Sequence, residues 1–600
     1  MNLAQRSPNQ GSALIVVLSV IVTLSVTVVV AMEYTAMVRH QVQRSEGLQS
    51  AIGIGDGVLD HAFGYWREIC RGNTDASLHT SSFTNIPLPT QSQFPKVQGF
   101  SAQRAPISSA LGPLPTVSNF QVIAVDPQMN PIDDAALLVP AIGQSPVTAT
   151  YDYLAEADVS LPVLDGYVTT KVRRVLQKQQ LSPWNWAIFY VDPLELHPGA
   201  AMNVTGWVHT NGTLYTGHNL LTFQSKVTYG TDWVIGFEPG DSRAPGGSAP
   251  ETPTSPNYPA NLPPAYDVAH QPFGLDSTRI FNPADRNPNN DSYHELIEPP
   301  NPSYTDPLDG KRYYDQAGVK ILINSSNTVT IKDQNDNVLG PSSTGNAAAI
   351  YATFSSAITT NQTIQDNREG ASVRLATLDM GAVSTAIQNG TLGPFNNIIY
   401  ISDTSASTTG GTPKRGIRLK NGAIIPSNGI TVASQNPVYI QGDYNTGGSN
   451  PPSNSGNYAQ PQITGYTRAP CAVVADAVNI LSNSWNDSNS SSSLGSRTAS
   501  NTTVNTAIVS GIVPSVNNNY SGGAENFPRF LEDWTGKSFT YYGSMVELYK
   551  SGQSIGKWGS GNVYNPPNRQ WFFDTNLQVY TPPGSLPVYS YIKGRWFLAQ

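Results

Sequence analysis

The sequence predicts a mainly β protein in which one N-terminal apolar helix is followed by a β-solenoid with long loops. Three observations predict it. One uncharged run, Ala13 to Met32, is long enough to cross a bilayer core of ~30 Å. From residue 161 on, short alternating segments are separated by Gly or Asn-Gly. The 51 glycines and 46 prolines among 600 residues mark frequent turns. With 34 basic against 42 acidic side chains, a net charge of −8, the chain lacks the basic footprint of a nucleic-acid binder. Only 13% of residues are charged, about half the ~25% usual in soluble domains, so Asn, Ser and Thr must supply the polar surface. Such a composition suits an extracellular β-rich surface. One apolar run excludes a multi-span transporter.

The apolar run ALIVVLSVIVTLSVTVVVAM exceeds the ~7–15 residues of a cleaved signal's core. Arg6 precedes it, and Glu33, Arg39, Arg44 and Glu46 follow with cancelling signs, a weak bias toward an N-terminus in the cytoplasm. Val38, Val42, Leu48, Ile52, Leu59, Ala62, Trp66 and Ile69 continue at three- and four-residue spacing, with two longer steps. The helix is therefore expected to reach about Cys70, on the order of 85 Å from Ala13. Gly47, Gly53, Gly55 and Gly57 each cost roughly 1 kcal/mol against Ala, so melting or a kink is expected near residues 53–57.

The stretch from Gln10 to Leu18, QGSALIVVL, resembles the start of the PilX-type N-terminal domain of type IV pilin-like proteins. The resemblance covers about a tenth of the chain. It implies a leader ending at Gly11, a prepilin peptidase cutting between Gly11 and Ser12, and a helix that packs with other pilin-like subunits after leaving the membrane. The family usually has Phe after the cut and Glu at the fifth mature position; Ser12 and Val16 stand there. The resemblance associates loss of that glutamate with minor subunits at filament tips. Leu14, Val17, Leu18, Val38, Val42, Leu48, Ile52, Leu59 and Trp66 are the side chains expected to pack in membrane or filament.

The remaining organisation follows composition. After the leader (1–11) and helix (12–70), residues 71–160 form an irregular connecting region with one strand at Asn119–Asp126. Residues 161–238 form a first β-rich part, with LEL, MNVTGWVHTNG, TLYTG and FQSKVTYG as short strands. Residues 239–310 read as a Pro/Asn-rich loop or linker, with runs at Glu251–Pro264 and Asn282–Asn290. Residues 311–481 continue the solenoid: a hairpin with its polar tip at Asp333–Asn337, then strands at Ser372–Leu378, Asn397–Ser402, Gly416–Lys420, Gly429–Ala433 and Pro437–Gly442. Asn421-Gly422 and Asn428-Gly429 mark corners, since both residue types tolerate positive φ. Residues 482–503 read as a Ser/Asn-rich flexible loop, and residues 504–600 as a packed aromatic-rich part. The segments around Trp207–Asn211, Arg418–Tyr444 and Phe527–Trp534 resemble large pilin-like surface proteins, which implies a right-handed β-helix ectodomain.

Candidate chemistry is sparse. Outside the cytoplasm Cys70 and Cys471 are compatible both with a disulfide and with two buried thiols. His294, Glu295 and Glu298 form His-Glu-x-x-Glu, but the second zinc-ligating histidine is missing and Pro299-Pro300 follows, so a solvated loop is the reading. Asp333, Asn335 and Asn337 have calcium-loop spacing without its glycine or closing glutamate, and read as a hairpin tip. Asp366, Asp379, Asp403 and Asp443 are the acids a solenoid hydrolase or lyase could use; capping at turns is the plainer role. Ten tryptophans and 28 tyrosines read mainly as core ladders, with exposed ones as candidate contacts for glycans or proteins. No catalytic, metal or cofactor set is expected, nor a nucleic-acid partner. Expected partners are the membrane, pilin-like subunits, the peptidase and, as a candidate, surface glycans.

These readings imply a structural subunit of a type IV pilus or related secretion filament, inserted once in the inner membrane before periplasmic or surface display. The alternative is a membrane-anchored carbohydrate-binding or carbohydrate-active β-helix protein.

Overall fold

The computed structural model describes residues 9–71, 83, 86–89, 115–126, 128–132, 141–142, 147–163, 166–267, 270–272, 293–303, 306, 308–407, 410–447, 468–513, 515, 520–559, 562–584, 586 and 588–599. The chain divides into two compact units: Met1–Ala141 with Tyr151–Lys178 and Ile592–Gln600, and Ile142–Thr150 with Gln179–Tyr591.

In the first unit a 63-residue α-helix, Asn9–Arg71, runs unbroken. Within its apolar run Thr23 Oγ1 donates to the Ser19 carbonyl and Thr27 Oγ1 to the Thr23 carbonyl, each at 2.7 Å. Hydroxyls turned back in this way meet their hydrogen-bonding need without water. Thr116–Val125 pairs antiparallel with Val147–Val163, in the register Val122↔Ala155 and Val125↔Asp152. The hydrogen-bonded order continues through Gly166–Leu181 to Val588–Ala599. Val122, Ala124, Ala155, Ala157, Val159, Val172 and Leu176 are buried, the alternation of a sheet with one covered face. The cover is the C-terminal half of the helix. The expected melting near residues 53–57 is absent, and the glycines of this half permit close approach. A Cβ on Gly47 would lie 2.8 Å from Val163 Cγ1, and one on Gly55 2.5 Å from Val172 Cγ2.

The second unit is built from short strands stacked in parallel. Trp186–Tyr190, Trp207–Thr210, Val227–Tyr229 and Ala265–Tyr266 form one ladder. Leu194–Leu196, Leu214–Thr216 and Trp233–Ile235 form a second, and Met202–Val204 with Leu221–Phe223 a third. Apart from Ala265–Tyr266, whose partners lie 37 positions away, paired residues in these ladders lie about 20 residues apart, the spacing of a repeat that places one strand on each ladder in turn. A second series stacks Ile398–Asp403, Thr431–Ser434, Ala472–Ala475, Ala507–Ile512 and Met545–Lys550. Alongside it run Ala371–Asp379, Lys414–Lys420, Val438–Gln441, Val478–Leu481 and Pro528–Phe530, and Thr502–Asn505, Ser538–Gly543 and Asn568–Phe573. Met545–Lys550 pairs with Trp186–Tyr190, so the two series share one twelve-stranded sheet. Leu194, Leu214, Val208, Val227, Ile321, Ile401, Val432, Val473, Ile480 and Ile508 meet in one continuous core, buried to 1% exposure or less.

Several expectations are corrected. Residues 71–160 include most of the 17-residue strand Val147–Val163. Within residues 482–503, the Arg497 guanidinium donates to the carbonyls of Leu531, Asn562 and Val563. In 239–310, Tyr293–Ile297 forms a buried 3₁₀ turn, while the run Asn282–Asn290 and residues 1–8 of the leader lie outside the described residues. Of the two readings left open for Cys70 and Cys471, the structure has two buried thiols. Cys471 opens a core strand, and its thiol faces the apolar interior beside Tyr444, where burial pushes it up to about 12.

Candidate functional site

The long helix changes character at Gly47. Upstream, the large apolar side chains from Leu14 to Met32 are all exposed, and the apolar window of the helix is unburied on every face. Downstream, Gly47, Ala51, Gly55, Val58, Leu59, Ala62, Trp66 and Cys70 recur at helical spacing and are buried. Trp66 meets Tyr153 edge to face at 5.2 Å between ring centroids, and Tyr153 in turn meets Phe83 at 5.4 Å. Arg174 forms ion pairs with Asp56 and Asp60, one helical turn apart. The Gly11–Ser12 bond lies inside the helix, two residues from its start.

The structure therefore separates the sequence-derived packing residues. Leu14, Val17, Leu18, Val38, Val42 and Leu48 are exposed, and Ile52 is half-buried. Leu59 and Trp66 are not available to a neighbour; both are fully covered within their own unit. A periodic stripe signals that a face will be covered without saying by what.

The other candidates are bound up in structure. His294 is buried, correcting the solvated-loop reading. Its Nδ1 lies 2.7 Å from Glu298 Oε1 and its Nε2 3.0 Å from Asp476 Oδ1, while Glu295 pairs with Arg312 at 2.9 Å. Asp333 accepts from the backbone N–H groups of Asn335 and Asn337 at 2.9 Å, as a hairpin tip requires. Asp366 accepts from the Tyr439 hydroxyl at 2.8 Å, and Asp379 caps the helix Met380–Gln388. Asp403 pairs with Arg374 at 2.7 Å, and Asp443 accepts from the Thr503 N–H at 2.8 Å. Tyr400, Tyr439, Tyr444 and Tyr541 are core residues, whereas Tyr266 and Tyr580 are exposed.

A group that sequence reasoning missed is a set of buried carboxyls in the second unit. Glu195, Glu238, Glu525 and Glu547 are each at most 9% exposed. Burial pushes Glu238 up to about 7, and holds Glu195, Glu525 and Glu547 above the ordinary carboxylate range. The available signal was a Glu inside each of the short strands Leu194–Leu196 and Met545–Lys550. Among the described residues no cluster of three or more His, Cys, Asp or Glu has metal-holding geometry.

No protein-family model matches the chain, and no curated protein matches it. Among solved structures it is similar to the competence-associated pilin ComZ from Thermus thermophilus, at 11% identity over 83% of this chain and 87% of that one, with a TM-score of 0.27. The described residues themselves define a mainly β protein with one long, exposed, apolar N-terminal helix of membrane-crossing length.

Proposed function

We propose that the chain is a pilin-like structural subunit, anchored once in the membrane and later packed by its N-terminal helix into a type IV pilus or related secretion filament. The supporting observation is the division of one continuous helix at Gly47, between a half that its own unit covers and a half that nothing among the described residues covers. An apolar surface of that extent has two destinations, lipid and the helices of other subunits. The QGSALIVVL start favours passage from the first to the second after cleavage between Gly11 and Ser12. In this reading the N-terminus begins in the cytoplasm, and the β part is a right-handed solenoid displayed outside. The parallel ladders with partners about 20 residues apart support the solenoid. A head of such size would crowd subunits whose helices sit ~10 Å apart, which favours a tip position in initiation or adhesion. We read the role as structural rather than enzymatic, a reading supported by the engagement of Asp366, Asp379, Asp403 and Asp443 in hydrogen bonds and ion pairs. N-terminal sequencing of the mature protein tests the proposal: a chain starting at Ser12 is expected, and an intact Met1 would leave a plain membrane tether.

A further inference from the structure

We propose that Lys550 and Asp192 are the partners of an intramolecular isopeptide bond that the folded protein forms by itself, with Glu547 as the acid that moves the protons. The three side chains stand together in the second unit. Lys550 Nζ lies 2.7 Å from Asp192 Oδ2, with the two side chains 14% and 18% exposed. Glu547 is fully buried, and its Oε2 accepts from the backbone N–H groups of Val191 and Asp192, each at 3.0 Å. That anchorage fixes the Glu547 carboxyl against the residue it is to act on.

The strand geometry explains how an acid and a lysine three residues apart reach one side of a sheet. In a regular strand residues 547 and 550 point to opposite faces. Here the ladder to Ala507–Ile512 slips by one: Ser510 pairs with Glu547, and Gly511 with Tyr549. The unpaired Leu548 is a bulge, and the extra residue returns Lys550 to the Glu547 side. Leu548 and Tyr549 both enter the apolar core on the opposite side.

Burial and the facing Asp192 carboxylate hold Glu547 well above its usual range, so it stands as a neutral acid hydrogen-bonded to Asp192. Glu238 is close enough to both partners to feel their charges. In two other lysine–acid pairs among the described residues a further cation or phenol sits against the acid. Lys414 and Glu369, 2.8 Å apart, are joined by Arg529, and Lys320 and Asp336, 2.7 Å apart, by Lys332 and Tyr314.

The reaction is a condensation. A proton passes from the Lys550 ammonium to the Asp192 carboxylate, leaving an amine against a carboxylic acid. The Nζ lone pair attacks Cγ of Asp192, and Glu547 gives its proton to the departing hydroxyl while taking one from the nitrogen. One C–N bond forms, one C–O bond breaks, and one water leaves. Neither an oxidant nor an activating nucleotide is needed. Fixed contact between the reacting atoms in a site largely closed to water is what such a step requires.

Intact-mass measurement on the purified full chain tests this, with its N-terminus determined separately so that leader cleavage does not enter the comparison. The expected mass is about 18 Da below that of the sequence from that N-terminus, one water lost. Proteolysis should release a branched peptide joining residues 192 and 550. Glu547→Gln and Lys550→Arg should both restore the full mass. A wild-type mass that stays at the sequence value after prolonged incubation at neutral pH would overturn the proposal. So would a water loss that maps to any other pair or to an Asp-Gly site such as Asp165-Gly166.

Discussion

His294 Nε2 and Asp476 Oδ1 lie 3.0 Å apart across 182 positions of sequence, and the other ring nitrogen of His294 lies 2.7 Å from Glu298. With a carboxylate at each nitrogen the ring is a doubly donating imidazolium, and its pKa is raised to about 9 against burial that alone would lower it. Asp476 also accepts from the N–H groups of Gln553 and Ser554, so one carboxylate ties the Tyr293–Ile297 turn to a distant loop.

The folded-state pKa of His294 exceeds the unfolded value of ~6.5, so its contribution is complete below that pH and is lost as pH rises through about 9. Urea unfolding of the wild type should weaken over this window by up to about 3 kcal/mol. His294→Gln should be destabilised at pH 6 and should lack that slope. An unchanged slope in the variant would remove the ion trio from the account.

Glu532 carries the opposite lesson about burial. Its carboxyl accepts from the Ser482 hydroxyl at 2.7 Å and from the Ser482 N–H, yet desolvation still lifts it to about 7 from 4.5. The folded state holds the proton more tightly, so stability is greatest below about 4.5 and falls as pH rises to 7. Glu532→Gln keeps both partners and should gain on the order of 3 kcal/mol relative to wild type at pH 8, with no gain at pH 4, as read by denaturant midpoints.

Two helix glycines two residues apart should respond with opposite signs. Gly55→Ala places a methyl 2.5 Å from Val172 Cγ2 and should cost about 1–3 kcal/mol. Gly53→Ala meets nothing within 4 Å and should stabilise by up to about 1 kcal/mol through helix propensity. Thermal unfolding of the two single variants decides between close approach and flexibility as the reason for these residues.

Charge placed on the two halves of the helix should separate folding from anchoring. Leu59→Asp buries a carboxylate in the sheet-covered stripe and should unfold the first unit, with a loss comparable to the ~3–5 kcal/mol of Trp66→Ala. Val17→Asp should leave the circular dichroism and unfolding of the rest unchanged while abolishing membrane extraction with the wild type. Loss of folding in Val17→Asp would contradict the division at Gly47.

The sequence made the β corners legible because Asn-Gly pairs fix where a strand must stop. The expected strand Gly416–Lys420 is Lys414–Lys420, and Pro437–Gly442 is Val438–Gln441. It also made the helix legible as far as Cys70, since a three-and-four stripe needs no knowledge of its cover. Polar composition misled at Ser488–Asn501, where order comes from one guanidinium collecting carbonyls from remote segments. The buried glutamates were hidden for a related reason. Whether Lys550 comes to the side of Glu547 depends on a one-residue bulge that no local pattern announces.

The pairing of Met545–Lys550 with Trp186–Tyr190 has a cost in time. The middle of the largest sheet cannot be completed until residue 550 of the 600 has been made. Until then two raw strand edges wait, open to proteases and to sister molecules. A chain cut short anywhere before residue 545 is therefore a candidate for degradation rather than a smaller working version.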